Sequence, residues 1–192
     1  MSSFPPGPPL FLVHGDNSRL EERKVVEGLH LKLEPTLDQD VAYGIRMLVD
    51  IAERSLSDSP FQDPTTAVQA IDRLHDCLRQ LARRPFPDGR HRDEAGEVRL
   101  IVRTMSWEAF VHLAFDEIRM AGAGSPQVAR RLKDALTDLK AVALPDRVPI
   151  LEHQVELLAA ATESLMDDER DARMALREDR EGIGAAAGAD GR

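Results

Sequence analysis

Two amphipathic segments that meet at an acid–proline corner constrain this chain most. Apolar residues recur after Asp38 as Val41, Ile45, Leu48, Ala52 and Leu56, the three- and four-residue spacing that gathers one stripe on a helix. Thr36 or Asp38 is placed to cap its start. A turn then runs through Asp58, Ser59, Pro60, Phe61 and Gln62 to Asp63 and Pro64. A carboxylate that accepts free helix N–H groups, followed by a residue whose φ already suits the first turn, predicts a second helix here. Its stripe is Ala67, Val68, Ile71, Leu74, Leu78 and Leu81, and it ends near Arg84, before Pro85.

The same period continues further along. Ser106 is placed to cap a helix with the face Trp107, Phe110, Val111, Ala114 and Ile118, which ends at Gly122. Ser125 and Pro126 open another with Val128, Leu132, Ala135 and Leu139, and a fifth carries Leu151, Val155, Leu158, Ala161 and Leu165. Residues 167–181 are dominated by mixed charge and read as a solvated continuation of that helix, and the Gly/Ala-rich tail after them has the composition of a disordered segment. Period-two alternation in Leu29, Leu31 and Leu33, with Leu10, Phe11, Leu12 and Val13 upstream, predicts a small N-terminal β element. The charged, Gly- and Pro-containing stretch 87–96 reads as a loop or mobile hairpin, and Val98 to Val102 as a short strand. The predicted fold is mainly α, a five- to six-helix bundle-like domain with a small N-terminal β element. Residues 1–35 form a Pro-rich lead-in with the β element, 36–166 the helical core, and 167–192 a charged extension and tail.

Composition narrows function mostly by exclusion. A formal charge of −9 opposes general nucleic-acid binding, which needs a basic face against phosphates. Cys77 is the single cysteine, so no intramolecular disulfide, zinc knuckle or CxxC pair forms. Charges interrupt every hydrophobic run, so no window of about 20 residues suits a bilayer crossing, and the first residues lack a secretory signal. A reducing cytoplasm is the default location. No GxSxG elbow, Walker loop or GxGxxG fingerprint is present.

The stretch Gln39-Asp40-Val41-Ala42-Tyr43-Gly44-Ile45-Arg46-Met47-Leu48-Val49-Asp50-Ile51-Ala52-Glu53-Arg54-Ser55-Leu56, followed by Gln62-Asp63-Pro64-Thr65-Thr66-Ala67, resembles the signature of a bacterial family of predicted membrane proteins, domain of unknown function 2254. Weaker similarity runs from residue 7 to 165. Gln62 stands where the family favours Asn, and the turn before Asp63 is one residue longer. Members of that family carry transmembrane helices ahead of this part. The resemblance therefore implies a carboxy-terminal portion without its anchor, either a soluble paralogue or a truncated member, associated with a membrane through a partner or the missing helices. It implies no catalytic residues and no cofactor.

Candidate sites are few. Arg46, Asp50 and Arg54 lie four apart on one helix flank and form a ladder of opposite charges, which Asp63 or Asp72 of the next helix could join. These five residues are the candidate ligand-binding set, weighed against a purely structural network. The helix start at Asp63 could receive an anion, but its own carboxylate competes for the same donors. His75 lies near Asp72 and Asp76, and His112 shares a face with Glu108 and Asp116, yet each offers one imidazole beside ordinary carboxylates and no metal site is expected. A lone helical Cys77 reads as packing. Two functions follow: a soluble regulatory or assembly module that packs with itself, as a homo-oligomer, or with a membrane-protein partner; alternatively, a small-ligand sensor or enzyme with a charged pocket on the first two helices. The residues favour the non-enzymatic reading.

Overall fold

Asp40 starts the first long helix, its side chain accepting from Ala42 N–H at 2.9 Å. The computed structural model describes residues 12–14, 20–27, 40–57 and 62–177, so the predicted caps Thr36 and Asp38 lie outside the described residues. The chain divides into two compact units, 1–35 and 36–192.

In the first unit, Glu22–Glu27 forms a short helix, α1. Ion pairs Arg23–Glu27 and Lys24–Glu21 run along its exposed side at 2.7 and 2.9 Å. Val25 and Val26, read from sequence as the start of a strand, are therefore helical, because charges at helical spacing hold this stretch. Leu12 to His14 has no regular structure, and Leu29, Leu31 and Leu33 lie outside the described residues.

The second unit is built from α2 (Val41–Leu56), α3 (Pro64–Leu81), a hairpin of β1 (Arg90–Arg92) and β2 (Val98–Ile101), α4 (Trp107–Gly122), α5 (Pro126–Val142), a 3-10 turn (Pro145–Arg147), α6 (Val148–Leu165) and α7 (Glu169–Ala175). The protein is mainly α with one small antiparallel sheet among the described residues. That sheet lies between α3 and α4 in sequence, and the stretch read as a loop or mobile hairpin supplies its first strand and turn. Helix α2 packs on α3 and α4, α3 on α5, and α5 on α6 and α7. The core is aliphatic with few rings: Ile45, Val49, Ala52, Ile71, Leu74, Leu78, Phe115, Ile118, Leu132, Leu139, Leu151 and Leu158 are buried. Val49 replaces Val41 in the α2 stripe, since Val41, in the helix's first turn, stays 59% exposed.

Both predicted caps on α3 and α4 form. Asp63 accepts from the N–H groups of Thr65 and Thr66 and from the Thr66 hydroxyl, and Ser106 accepts from Ala109 N–H. Asp63 N–H in turn donates to the Ser55 carbonyl at 2.9 Å, which ties the start of α3 to the end of α2. The charged segment after Met166 does not continue α6. The helix stops at Leu165, Asp168 caps a new one by accepting from Arg170 N–H, and α7 lays Ala172 and Ala175 into the body. An apolar side explains the return: the solvated face that mixed charge predicted is real, but Ala172 and Ala175 on the opposite side are buried and Met166 and Leu176 at the helix's ends pack against the core.

Candidate functional site

The five residues singled out from sequence go to four different places. Arg46 lies at the α2/α4 seam. Its guanidinium pairs with Asp50 at 2.7 Å, with Glu53 at 3.5 Å and with Glu117 of α4 at 2.5 Å. The cross-helix partner is thus Glu117 and neither Asp63 nor Asp72. Arg46 holds the Glu117 carboxyl below the usual range. Glu53 goes the other way, because burial and then the neighbouring Glu117 charge raise it against the pull of Arg46. One cation among three acids makes one of them easier to protonate. Arg54 is exposed and forms no ion pair among the described residues, so the lower rung of the ladder is missing. Asp63 is occupied as a cap, and the Thr66 hydroxyl together with the backbone donors lowers its carboxyl.

Asp72 belongs to a second seam. On α3 the side chains Asp72, His75 and Arg79 face Arg131, Asp134 and Asp138 on α5. Arg131 pairs with Asp72 and, at 2.9 Å, with Asp134. It also donates to His75 Nδ1 at 2.9 Å, while His75 Nε2 lies 2.8 Å from Asp138, which also pairs with Arg79. A guanidinium has donors only, so Nδ1 must be the acceptor and the imidazole proton sits on Nε2, donating to Asp138. His75 is buried in this arrangement, a bridge between a cation and an anion. Burial pushes the Asp138 carboxyl up, but hydrogen bonds from Arg79 and His75 outweigh it and leave it low. Asp72 stays half exposed at the edge of this seam.

His112 donates through Nδ1 to Asp116 at 2.9 Å, and the fully buried Gln154 of α6 donates to the same carboxylate at 2.7 Å. Among the described residues no group of three or more His, Cys, Asp or Glu side chains is placed to hold a metal ion. Burial, with Asp76 adding, pushes the Cys77 thiol up, the reverse of what an activated nucleophile needs.

Sequence reading missed Arg147. It is buried at the turn before α6 and donates to the carbonyls of Leu81 and Arg84 at 2.8 and 2.7 Å, ending α3. Its guanidinium lies over the rings of Phe86 and Trp107 at 4.8 and 5.7 Å, and Trp107 Nε1 donates to the Arg147 carbonyl at 3.1 Å. A cation that satisfies bare helix carbonyls and lies over aromatic faces is held by both effects. Only the proximity of Pro145 to a helix start hinted at this position. Arg147 also fixes Phe86, which stacks on Phe110 at 5.8 Å and forms part of an open groove of about 530 Å³. Val41, Leu81, Met105 and Phe110 line it with Phe86, and Arg84 and Arg103 stand beside them.

These features define a helical domain in which Arg46–Glu117, His75–Asp138, Arg79–Asp138 and Arg131–Asp72 join neighbouring helices, with an apolar groove beside a hairpin. The chain belongs to the family described as predicted membrane protein, domain of unknown function 2254, whose model matches residues 2–138. Uncharacterized proteins of Mycobacterium tuberculosis and Mycobacterium bovis are each 33% identical to it over 155 residues, 80% of this chain and 30% of theirs. The chain thus spans about 30% of the length of the curated relatives it matches. No solved structure matches it. No helix among the described residues is long and apolar enough to cross a membrane.

Proposed function

We propose that this chain is the water-facing module of a membrane-associated protein, and that it works by packing against itself or a membrane-protein partner rather than by chemistry on a small molecule. The observation that supports this reading is the closure of its charge networks. Arg46 is taken up by Asp50 and Glu53 of its own helix and by Glu117 of α4, and Asp72 is paired with Arg131 of α5, so these two charges are engaged within the domain. A sensor or enzyme built on Arg46, Asp50, Arg54, Asp63 and Asp72 would need them on one concavity, and Arg46 and Asp72 engage opposite seams. The family's description supplies the membrane context.

Sedimentation velocity of the purified chain across a wide concentration range tests the proposal. Self-association that strengthens with concentration is the expected result. A strict monomer whose melting temperature rises saturably with one metal, nucleotide or metabolite would overturn it in favour of the ligand reading.

A further inference from the structure

The hairpin of β1 and β2 differs from the rest of the second unit because, among the described residues, nothing covers it. Every residue of both strands is exposed, including Val98, Leu100 and Ile101, and Val102 just beyond; Ile101 reaches 69%. A two-stranded ribbon with both faces in water is marginal by itself, and four aliphatic side chains left out of a core mark a contact surface.

Its base is nevertheless rigid. Val102 N–H donates to the Gly89 carbonyl at 2.8 Å and the Thr104 hydroxyl to the Pro87 carbonyl at 3.0 Å. Gly89 has φ of +70°, and a Cβ there would lie 2.0 Å from the Val102 carbonyl oxygen, so only glycine closes this base. Residues 103–105 line the groove, whose apolar wall is Val41, Phe86, Met105 and Phe110 and whose charged residues are Arg84, Arg103 and the α2 cap Asp40.

Charge sets the partner. The chain carries −9, yet residues 83–103 hold six arginines against four acids. Asp93 is paired with Arg99 and also accepts from two backbone N–H groups, whereas Asp88, among the described residues, accepts only from Arg90 N–H and keeps its charge near the base, where the arginines outnumber it. The other two, Glu94 and Glu97, sit at the turn, about 10–13 Å along the strands from the base, roughly one screening length away. At the base itself Arg84, Arg90 and Arg103 form no ion pair among the described residues, and Arg90 shares a face with its cross-strand partner Ile101. Free guanidinia beside exposed aliphatics and an apolar groove match an interface that is anionic outside and hydrocarbon within.

We propose that the hairpin base and the adjoining groove dock this domain on an acidic phospholipid bilayer. Arg84, Arg90 and Arg103 meet lipid phosphates, Ile101 and Val102 enter the interfacial layer, and the groove receives the glycerol and upper acyl region of a lipid. The inference rests on the membrane-side reading above and adds the face and the lipid charge to it.

Flotation of the full chain with vesicles tests it. Association is expected with vesicles rich in phosphatidylglycerol and not with pure phosphatidylcholine. The double variant Arg84→Glu with Arg103→Glu should partition about tenfold more weakly or worse, and Ile101→Ser with Val102→Ser should weaken the binding that persists at high salt. Circular dichroism and melting temperature should stay at wild-type values in both, since all four residues are exposed. Arg173→Glu on α7, a charge reversal of the same kind elsewhere, should leave partition unchanged. No association with acidic vesicles, or equal weakening by Arg173→Glu, overturns the proposal. So does self-association without vesicles that the Ile101→Ser and Val102→Ser pair abolishes, because the covering surface is then a second copy. Absent vesicle binding with self-association intact would end this inference and leave the assembly reading standing.

Discussion

The α3/α5 seam and the β1/β2 hairpin use arginine in opposite ways. At the seam Arg131 is largely buried and engages Asp72, Asp134 and His75 together. In the hairpin region Arg84, Arg90 and Arg103 stand in solvent beside uncovered aliphatics. A guanidinium enclosed with its partners joins two helices, whereas one left free near apolar surface is available to something outside the chain. The helices bury their stripes against one another, and both strands of the hairpin stay outside that core.

Substitutions can break or sharpen that contrast. Leu74→Ala, in the fully buried stripe of α3, should cost about 2–5 kcal/mol by denaturant unfolding, through lost transfer energy and the cavity left behind; a loss below 1 kcal/mol, again on the order expected for surface sites, would mean that the stripe is not a core. Arg131→Leu leaves Asp72 and the His75 acceptor without their cation. Because Asp72 is half exposed and rehydrates, the expected cost is about 1–3 kcal/mol rather than the full penalty for a buried charge. A stability at or above wild type would show the seam is dispensable.

Acid titration distinguishes the two regions next. Folding lowers the carboxyls of Asp138, Glu117 and Asp63, so their contribution is fully present above the unfolded carboxylate values near about 4 and is lost as pH falls through the folded ones. Glu53 is raised and acts in reverse, favouring the fold at low pH and opposing it once pH exceeds its folded value. Glu53→Gln should therefore raise the melting temperature slightly at neutral pH, and that gain should vanish under acid. Asp63→Ala should lower it by a few degrees at neutral pH, through loss of the cap, with the difference from wild type shrinking below about pH 4. The smallest effect belongs to the hairpin: Ile101→Ser should shift unfolding stability by no more than about 0.5 kcal/mol. A larger loss would mean that Ile101 supports the core after all.

Local rules made much of this protein legible. Helical spacing located α2 to α6 to within a few residues, and the corner at Asp63 and Pro64 and the cap at Ser106 could be named because a cap acts on N–H groups two or three positions away. The motif around α2 also carried the family. The α2 start was misplaced because Thr36, Asp38 and Asp40 are all competent caps and a pattern of side-chain types does not rank them. The N-terminal strand reading failed at Val25 and Val26 because alternating leucines further on outweighed ion pairs at helical spacing before them.

What the sequence determined by itself is the set of elements: helices with apolar stripes, their caps, and a net acidic chain with an arginine-rich segment at 83–103. Which charges meet was decided only in three dimensions. Asp72, His75 and Arg79 repeat at spacings of three and four, and so do Arg131, Asp134 and Asp138, yet the match means nothing until α3 and α5 lie side by side. Arg131 and Asp72 are 59 residues apart. Local periodicity fixes the face a side chain occupies on its own helix, but its partner depends on how distant helices rotate and pack, and that follows from burying all the stripes at once.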